Sequence, residues 1–363
     1  MLNFDPKPNV LLEAISYLGR RAAGNTWEQM EKRLKERRIQ PGDSFSRMLA
    51  VLKTLTRQLD SLKAVTPEVL EAFRNLEGLP HNTIGTGSPA FLLLYGVMEE
   101  YNGDIDAFFR RVTGRTAAET AWHMAQALDL EEEWNSSAPG GETLMELVLA
   151  TSLPDSTKLA ILNTYRCRDE LQAQILPPLA AVLRALAEAS ETIDALAEIL
   201  ADKIAAEGCA GYLARTSRLS PAPEICYVLR PFLFGMDMGL TSQLSHHTVQ
   251  IYCGIGRDEL LSMLNTQTPL REDVYDAFKL LGDRTRFDIL CYLRDHSAYG
   301  QELSTHFGLS RNTIHHHINK LASYGLVRCV TDGNRIYYSL DQEAMRIFLE
   351  RQKQLFCGEE AVS

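Results

Sequence analysis

Three consecutive histidines, His315-His316-His317, follow Ser310, Arg311, Asn312 and Thr313 in the stretch GLSRNTIHHHINKL. Imidazole is a common metal ligand and the acid-base group of neutral pH. Successive helical residues point about 100° apart, however, so three in a row cannot converge on one ion. As a surface the stretch makes better sense. Ile314, Ile318 and Leu321 recur at i, i+4 and i+7 and form one apolar side, while Asn312, Thr313, His315, His316, Asn319 and Lys320 fall on the other. Short amides, hydroxyls, imidazoles and one lysine supply both donors and acceptors, which reading base edges in a DNA major groove requires. A merely solvated face would carry Glu/Lys pairs at i, i+4. His317 is expected at the edge of the apolar side.

The remaining candidates for chemistry are weaker. His246-His247 with Cys253 could offer mixed ligands, but adjacent strand residues face opposite sides, so at most one histidine could join the thiol. Gly85 to Pro89 (GTGSP) lacks the preceding strand and the lysine of a phosphate-binding loop, and a capped loop explains it. Seven scattered cysteines show no zinc or redox spacing, so reduced, mostly buried thiols are expected. No nucleophile-base or paired-carboxylate arrangement stands out, so no catalytic residue, metal or cofactor is assigned. The basic stretch RRAAGNTWEQMEKRLKERR could hold a partner or DNA, although such runs are more often solvated helix faces.

The elements around the histidines form a recognisable order. Leu303 and Phe307 give the preceding helix a buried side, Gly308 supplies a tight turn, and Ser310 can cap the next helix. LVRCVTDGNRIYYSL then alternates around Asp332-Gly333, a strong hairpin signal. Its tip, with Asn334 and Arg335, is a wing placed to reach the sugar-phosphate backbone or a minor groove. The expected order is helix 272–281, helix 283–295, helix 300–307, helix 311–324, strand 326–331, strand 335–340 and helix 341–356, which is that of a winged helix-turn-helix.

AFKLLGDRTRFDILCYLRD, the turn ELSTHFGLSRNTIHHHINKLASYGLV and the wing DGNRIYYSL together resemble the arsenic-repressor-like (ArsR) winged-helix family over about a quarter of the chain. The resemblance implies binding of double-stranded DNA as a homodimer through the flanking helices, 272–281 and 341–356. It transfers DNA contact to Ser310, Arg311, Asn312, Thr313, His315 and His316, with Arg335 in the wing. Metal-sensing members carry cysteines before the turn, where this chain has SAYGQEL, or His and acidic ligands on the last helix, where it has DQEAMRIFLERQKQLF. The resemblance therefore transfers DNA binding without metal sensing.

A winged helix needs only about ninety residues, so the rest of the chain must have a second task. Its charge differs: residues 1–270 hold 25 Lys+Arg against 34 Asp+Glu, and residues 271–363 hold 12 against 13. Within 301–340 the balance turns to +2, through Arg311, Lys320, Arg328 and Arg335 against Glu302 and Asp332. The first 207 residues read as successive helices, with starts at Thr26, Thr66-Pro67 and Ser88-Pro89. Two long helical segments are expected to break near Pro177-Pro178. Leu179, Leu183, Leu186, Ser190, Ile193, Ala197, Leu200 and Ile204 form either a coiled-coil seam or a stripe buried in their own domain. Two strands are expected within 224–254, and the polar stretch NTQTPLRED marks a linker.

The expected fold is mainly α: a helical N-terminal domain, 1–268, with a small α/β element, then a winged helix-turn-helix, 269–363. With no signal sequence or bilayer-length apolar run, the chain is expected to be cytoplasmic. The function expected is that of a homodimeric transcriptional repressor whose N-terminal domain senses a small molecule or a protein partner. The alternatives are an interaction protein recruited to DNA by its winged helix, and an enzyme fused to a DNA-binding domain.

Overall fold

The computed structural model describes residues 2–36, 39–79, 87–98, 101–128, 130, 134, 140–151, 153–217, 219–220, 226–236, 238–243, 248–265, 271–309, 311–332 and 335–357. The chain is mainly α-helical. Its N-terminal part comprises α1 (Val10–Ala22), α2 (Trp27–Glu36), α3 (Asp43–Asp60), α4 (Pro67–Glu71), α5 (Pro89–Leu94), α6 (Ile105–Thr113), α7 (Ala117–Ala127), α8 (Gly140–Ala150), α9 (Asp155–Arg166), α10 (Arg168–Glu188), α11 (Ser190–Thr216) and α12 (Arg257–Asn265). The starts follow from side chains that accept otherwise orphaned amides. Thr26 Oγ1 accepts from Gln29 N at 3.2 Å, and Ser88 Oγ from Phe91 N at 3.2 Å. Thr66 caps α4 in the same way, and both α4 and α5 have proline in the first turn. Helix α5 stops at Leu94, because Tyr95 leaves the helical region with ψ 146° and Gly96 has φ +81°.

The expected break at Pro177-Pro178 does not occur. Helix α10 runs through both prolines, although each lacks the amide a helix interior uses. Ile175, Leu176, Leu179, Val182 and Leu183 are buried on either side, and this packing outweighs the lost hydrogen bonds. The chain breaks instead at Ala189 and kinks inside α11 at Gly208, whose φ of +74° only glycine adopts without strain. The leucine stripe spans α10 and α11. Leu179, Leu183, Leu186, Ile193, Leu200 and Ile204 all lie in the body's own core, so the buried-stripe alternative describes them and a coiled-coil seam does not.

Five strands accompany these helices: β1 (Leu2–Phe4), β2 (Leu219–Ser220), β3 (Cys226–Phe232), β4 (Met238–Gln243) and β5 (Thr248–Gly254). Four of them form a sheet of order β1-β3-β5-β4, with β1 and β5 parallel to β3 and β4 antiparallel to β5. Two strands were expected; the sheet gains β4 and also β1, which pairs Leu2 with Tyr227 from the far end of the sequence. Leu229, Phe232 and Ile251 pack with Leu11, Ile15 and Leu18 of α1 and Leu200 of α11 in one core. A smaller core joins α5, α7, α8 and α9 through Leu92, Leu93, Met124, Leu144, Val148 and Ile161.

The C-terminal part comprises α13 (Arg271–Leu281), α14 (Arg284–Asp295), β6 (Ala298–Tyr299), α15 (Gly300–Phe307), α16 (Arg311–Ser323), β7 (Val327–Asp332), β8 (Arg335–Leu340) and α17 (Gln342–Cys357). Beyond the expected order it contains β6, which pairs with β8. Its core of Ile289, Leu293, Leu303, Ile314, Ile318, Leu321, Leu326 and Tyr338 includes no residue before Ala277. Among the described residues, no helix is long and apolar enough to cross a membrane.

Candidate nucleic-acid interface

The site is built on α16, and its neighbours fix where that helix sits. Gly308 ends α15 in the left-handed region at φ +65°. Ser304 Oγ donates to Leu309 O at 2.6 Å, and Leu309 N donates back to Ser304 O at 3.1 Å. These bonds close the turn between α15 and α16. Ile314, Ile318 and Leu321 are all fully buried, which anchors the apolar side of α16 as the i, i+4, i+7 spacing requires.

On the rest of the helix, Asn319 and Lys320 are exposed and Thr313 is half-buried. His315 is half-buried too, with its ring edge-on to Tyr338 at 6.4 Å between centroids. Its Nε2 lies 3.2 Å from where a Cβ on Gly300 would stand. One residue on from Ile314, it occupies a flank of the helix and contacts both α15 and β8. This contact gives His315 a structural duty that the polar-face pattern did not show. His317 is at the core edge as expected, with Nδ1 3.7 Å from Asp283 Oδ1 and 12% of its side chain exposed. Among the described residues, no group of three His, Cys, Asp or Glu side chains could hold a metal ion. Arg311, Asn312 and His316 are on α16, and Arg335 opens β8, but their side chains lie outside the described parts. Ser310, Asn334 and the His246-His247 pair are outside the described residues altogether.

The basic patch is smaller than the sequence count suggested. Arg328 Nε donates to Asp341 Oδ2 at 2.8 Å, and this pair raises the guanidinium further above its usual range. Asp341, 1% exposed, accepts from Ala344 N through its other oxygen and caps α17. Arg328 therefore joins the wing to the last helix. A similar tie fixes α13, where Arg286 donates to Leu280 O at 2.7 Å and to Lys279 O at 3.2 Å. Sequence reasoning missed both arginine ties because neither has a spacing signature.

Outside this core, α13 and α17 share an apolar surface. Tyr275, Phe278 and Phe356 are 67%, 52% and 70% exposed, and the rings of Phe278 and Phe356 meet edge-on at 5.9 Å. Ile347 and Leu349 are also exposed.

Residues 283–328 match the family described as "Bacterial regulatory protein, arsR family". The chain is 34% identical over 82 residues to the HTH-type transcriptional regulator KmtR of Mycobacterium tuberculosis, which is 22% of this chain and 63% of that protein. It thus spans just under two thirds of that relative's length. It is 28% identical over 79 residues to the transcriptional activator HlyU of Vibrio cholerae, 22% of this chain and 73% of that protein. With the transcriptional repressor SdpR of Bacillus subtilis it shares 31% identity over 71 residues, 20% of this chain and 79% of that protein. No solved structure matches. Through its C-terminal winged helix, the chain belongs to the arsR family of bacterial regulatory proteins.

Proposed function

We propose that the protein is a homodimeric DNA-binding transcriptional repressor in which residues 269–363 bind operator DNA and residues 1–268 sense a small molecule or a protein partner. The observation that carries this reading is α16, whose apolar side is locked into the core while Asn319 and Lys320 face outward beside a two-stranded wing. The three relatives support it, being named as a transcriptional regulator, an activator and a repressor. The dimer is supported by the exposed aromatic side chains Tyr275, Phe278 and Phe356 where α13 meets α17, since large apolar side chains exposed together mark an association site.

In this reading Ser310, Arg311, Asn312, Thr313, His316 and Asn319 meet the major groove, His315 holds the helix in place beside it, and Lys320, Asn334 and Arg335 meet the backbone. The experiment is selection of duplexes from a random pool by the full chain, followed by anisotropy titration of the selected site and of a scrambled one. Asn312→Ala should weaken the selected site by about 1 to 3 kcal/mol and leave the scrambled site nearly unchanged. Equal losses on both would remove base reading from that position. Lys320→Ala should weaken both sites alike and reduce the slope of log affinity against log salt by about one. An unchanged slope would show that Lys320 does not touch phosphate.

A further inference from the structure

The second sheet of the molecule has the order β2-β7-β8-β6, so one of its two edge strands belongs to the N-terminal body. β2 runs parallel to β7, with Leu219 opposite Cys329 and Ser220 opposite Val330. Without it β7 would be the sheet edge, presenting unpaired amides and carbonyls. The strand it covers is one arm of the wing.

β2 is also firmly rooted. It follows directly on α11, whose last turns beyond the Gly208 kink bury Tyr212 and Leu213 in the body's core. Arg215 bridges Glu207 and Asp258, Lys203 binds Asp258 and Glu259, and Arg257 Nε donates to Thr216 O at 3.1 Å. The end of α11 is thereby clamped to α12. Beyond the covalent connection of the chain, the body is thus joined among the described residues to the winged helix by β2 on β7. With both, body and wing move together; with the first alone, the wing is free of the body.

We propose that β2 is a latch, by which the N-terminal body holds the wing in a weakly DNA-binding arrangement and from which the wing is released to bind tightly. This rests on the DNA-binding reading above. Two observations give the latch its sign and its capacity to open. Residues 1–270 carry nine more acidic than basic side chains, and the latch holds this acidic body beside the hairpin meant for phosphate. Repulsion from it acts only within roughly 8 to 10 Å at ordinary salt, so holding or freeing the wing changes it. Among the described residues the ladder has two residue pairs, so a modest bias from the body suffices to open it.

The test uses the full chain and two variants. Leu219→Pro with Ser220→Pro removes both β2 amides. Ser220→Cys with Val330→Cys places thiols on paired strand positions, about 4.8 Å apart at Cα and within disulfide reach; the bridge is identified by mass spectrometry of the linking peptide. In the proline variant, hydrogen exchange at amides 327–332 should quicken at least tenfold while 311–323 and the body core stay unchanged. Affinity for the selected duplex should rise at least fivefold. The disulfide form should bind at least fivefold more weakly than its reduced form. The latch is overturned if exchange in β7 does not change, or if the proline, oxidised and reduced proteins bind DNA alike. If no form binds any duplex, the DNA reading fails, and exchange alone decides whether β2 holds β7.

Discussion

Replacing Phe278 by Glu is expected to convert the protein to a monomer and to lower its affinity for the selected duplex at least a hundredfold. Phe278 is half exposed on α13 and touches Phe356 of α17, one helical turn from the more exposed Tyr275. In a two-fold dimer the same patch meets itself, so one substitution introduces two carboxylates into the contact. A carboxylate withdrawn from water without a partner costs several kcal/mol, enough to dissociate an interface of this kind at micromolar concentration. DNA binding then falls because each winged helix must find its half-site alone. Linking two binding modules is worth about 10² to 10⁴ in affinity. Sedimentation velocity and anisotropy on one preparation check both halves. A variant that remains dimeric would place the association surface in the body, and a monomer that binds as tightly as the parent would remove the dimer from DNA recognition. Phe278→Leu, which keeps the apolar surface, should retain both properties and separates loss of contact from loss of folding.

What could be read from the sequence is what neighbouring residues decide among themselves. Thr26, Thr66 and Ser88 announce helix starts because the amides they accept lie three residues on. Gly308, Ile314, Ile318 and Leu321 define the turn and the buried side of α16 for the same reason: periodicity and one left-handed glycine suffice. The hidden features were those whose partner is far away. β1 has three residues and no pattern of its own, and it is a strand because Leu2 meets Tyr227. β2 follows a long helix and pairs more than a hundred residues downstream. The tie of Arg328 on β7 to Asp341 before α17 was equally hidden, since its partner lies 13 residues on with no spacing signature. Pro177 and Pro178 misled for the opposite reason, since a strong local rule against helix was overridden by burial on both sides. The site followed the same division, with its helix legible and the inward turn of His315 onto Gly300 and Tyr338 not.

Glu13 is expected to make the stability of the N-terminal body fall as pH rises, an effect that Glu13→Gln should abolish. This residue of α1 is 1% exposed, yet its Oε1 accepts from Leu233 N at 2.8 Å and its Oε2 from Phe234 N at 3.0 Å. The carboxyl thus fastens the first helix to the chain leaving β3. Burial opposes its charge, and the two amide bonds only partly offset this, so its pKa is pushed up from 4.5 to about 8. The folded body therefore holds the proton more tightly than the unfolded chain. Its contribution is complete below pH 4.5 and is lost progressively as pH climbs to about 8, beyond which it stays constant. A tenfold difference in proton affinity is about 1.4 kcal/mol, so the loss over this window is roughly 5 kcal/mol. Urea denaturation of the full chain and of Glu13→Gln at pH 5, 6, 7 and 8, followed through Trp27 in the same core, should show a slope in the first and its absence in the second. Glu13→Leu should be destabilised by about 2 to 5 kcal/mol at every pH, because it leaves both buried amides without an acceptor. A slope that persists in Glu13→Gln would assign the titration to another group, and a Glu13→Leu protein as stable as the parent would mean that the Leu233 and Phe234 amides find another acceptor.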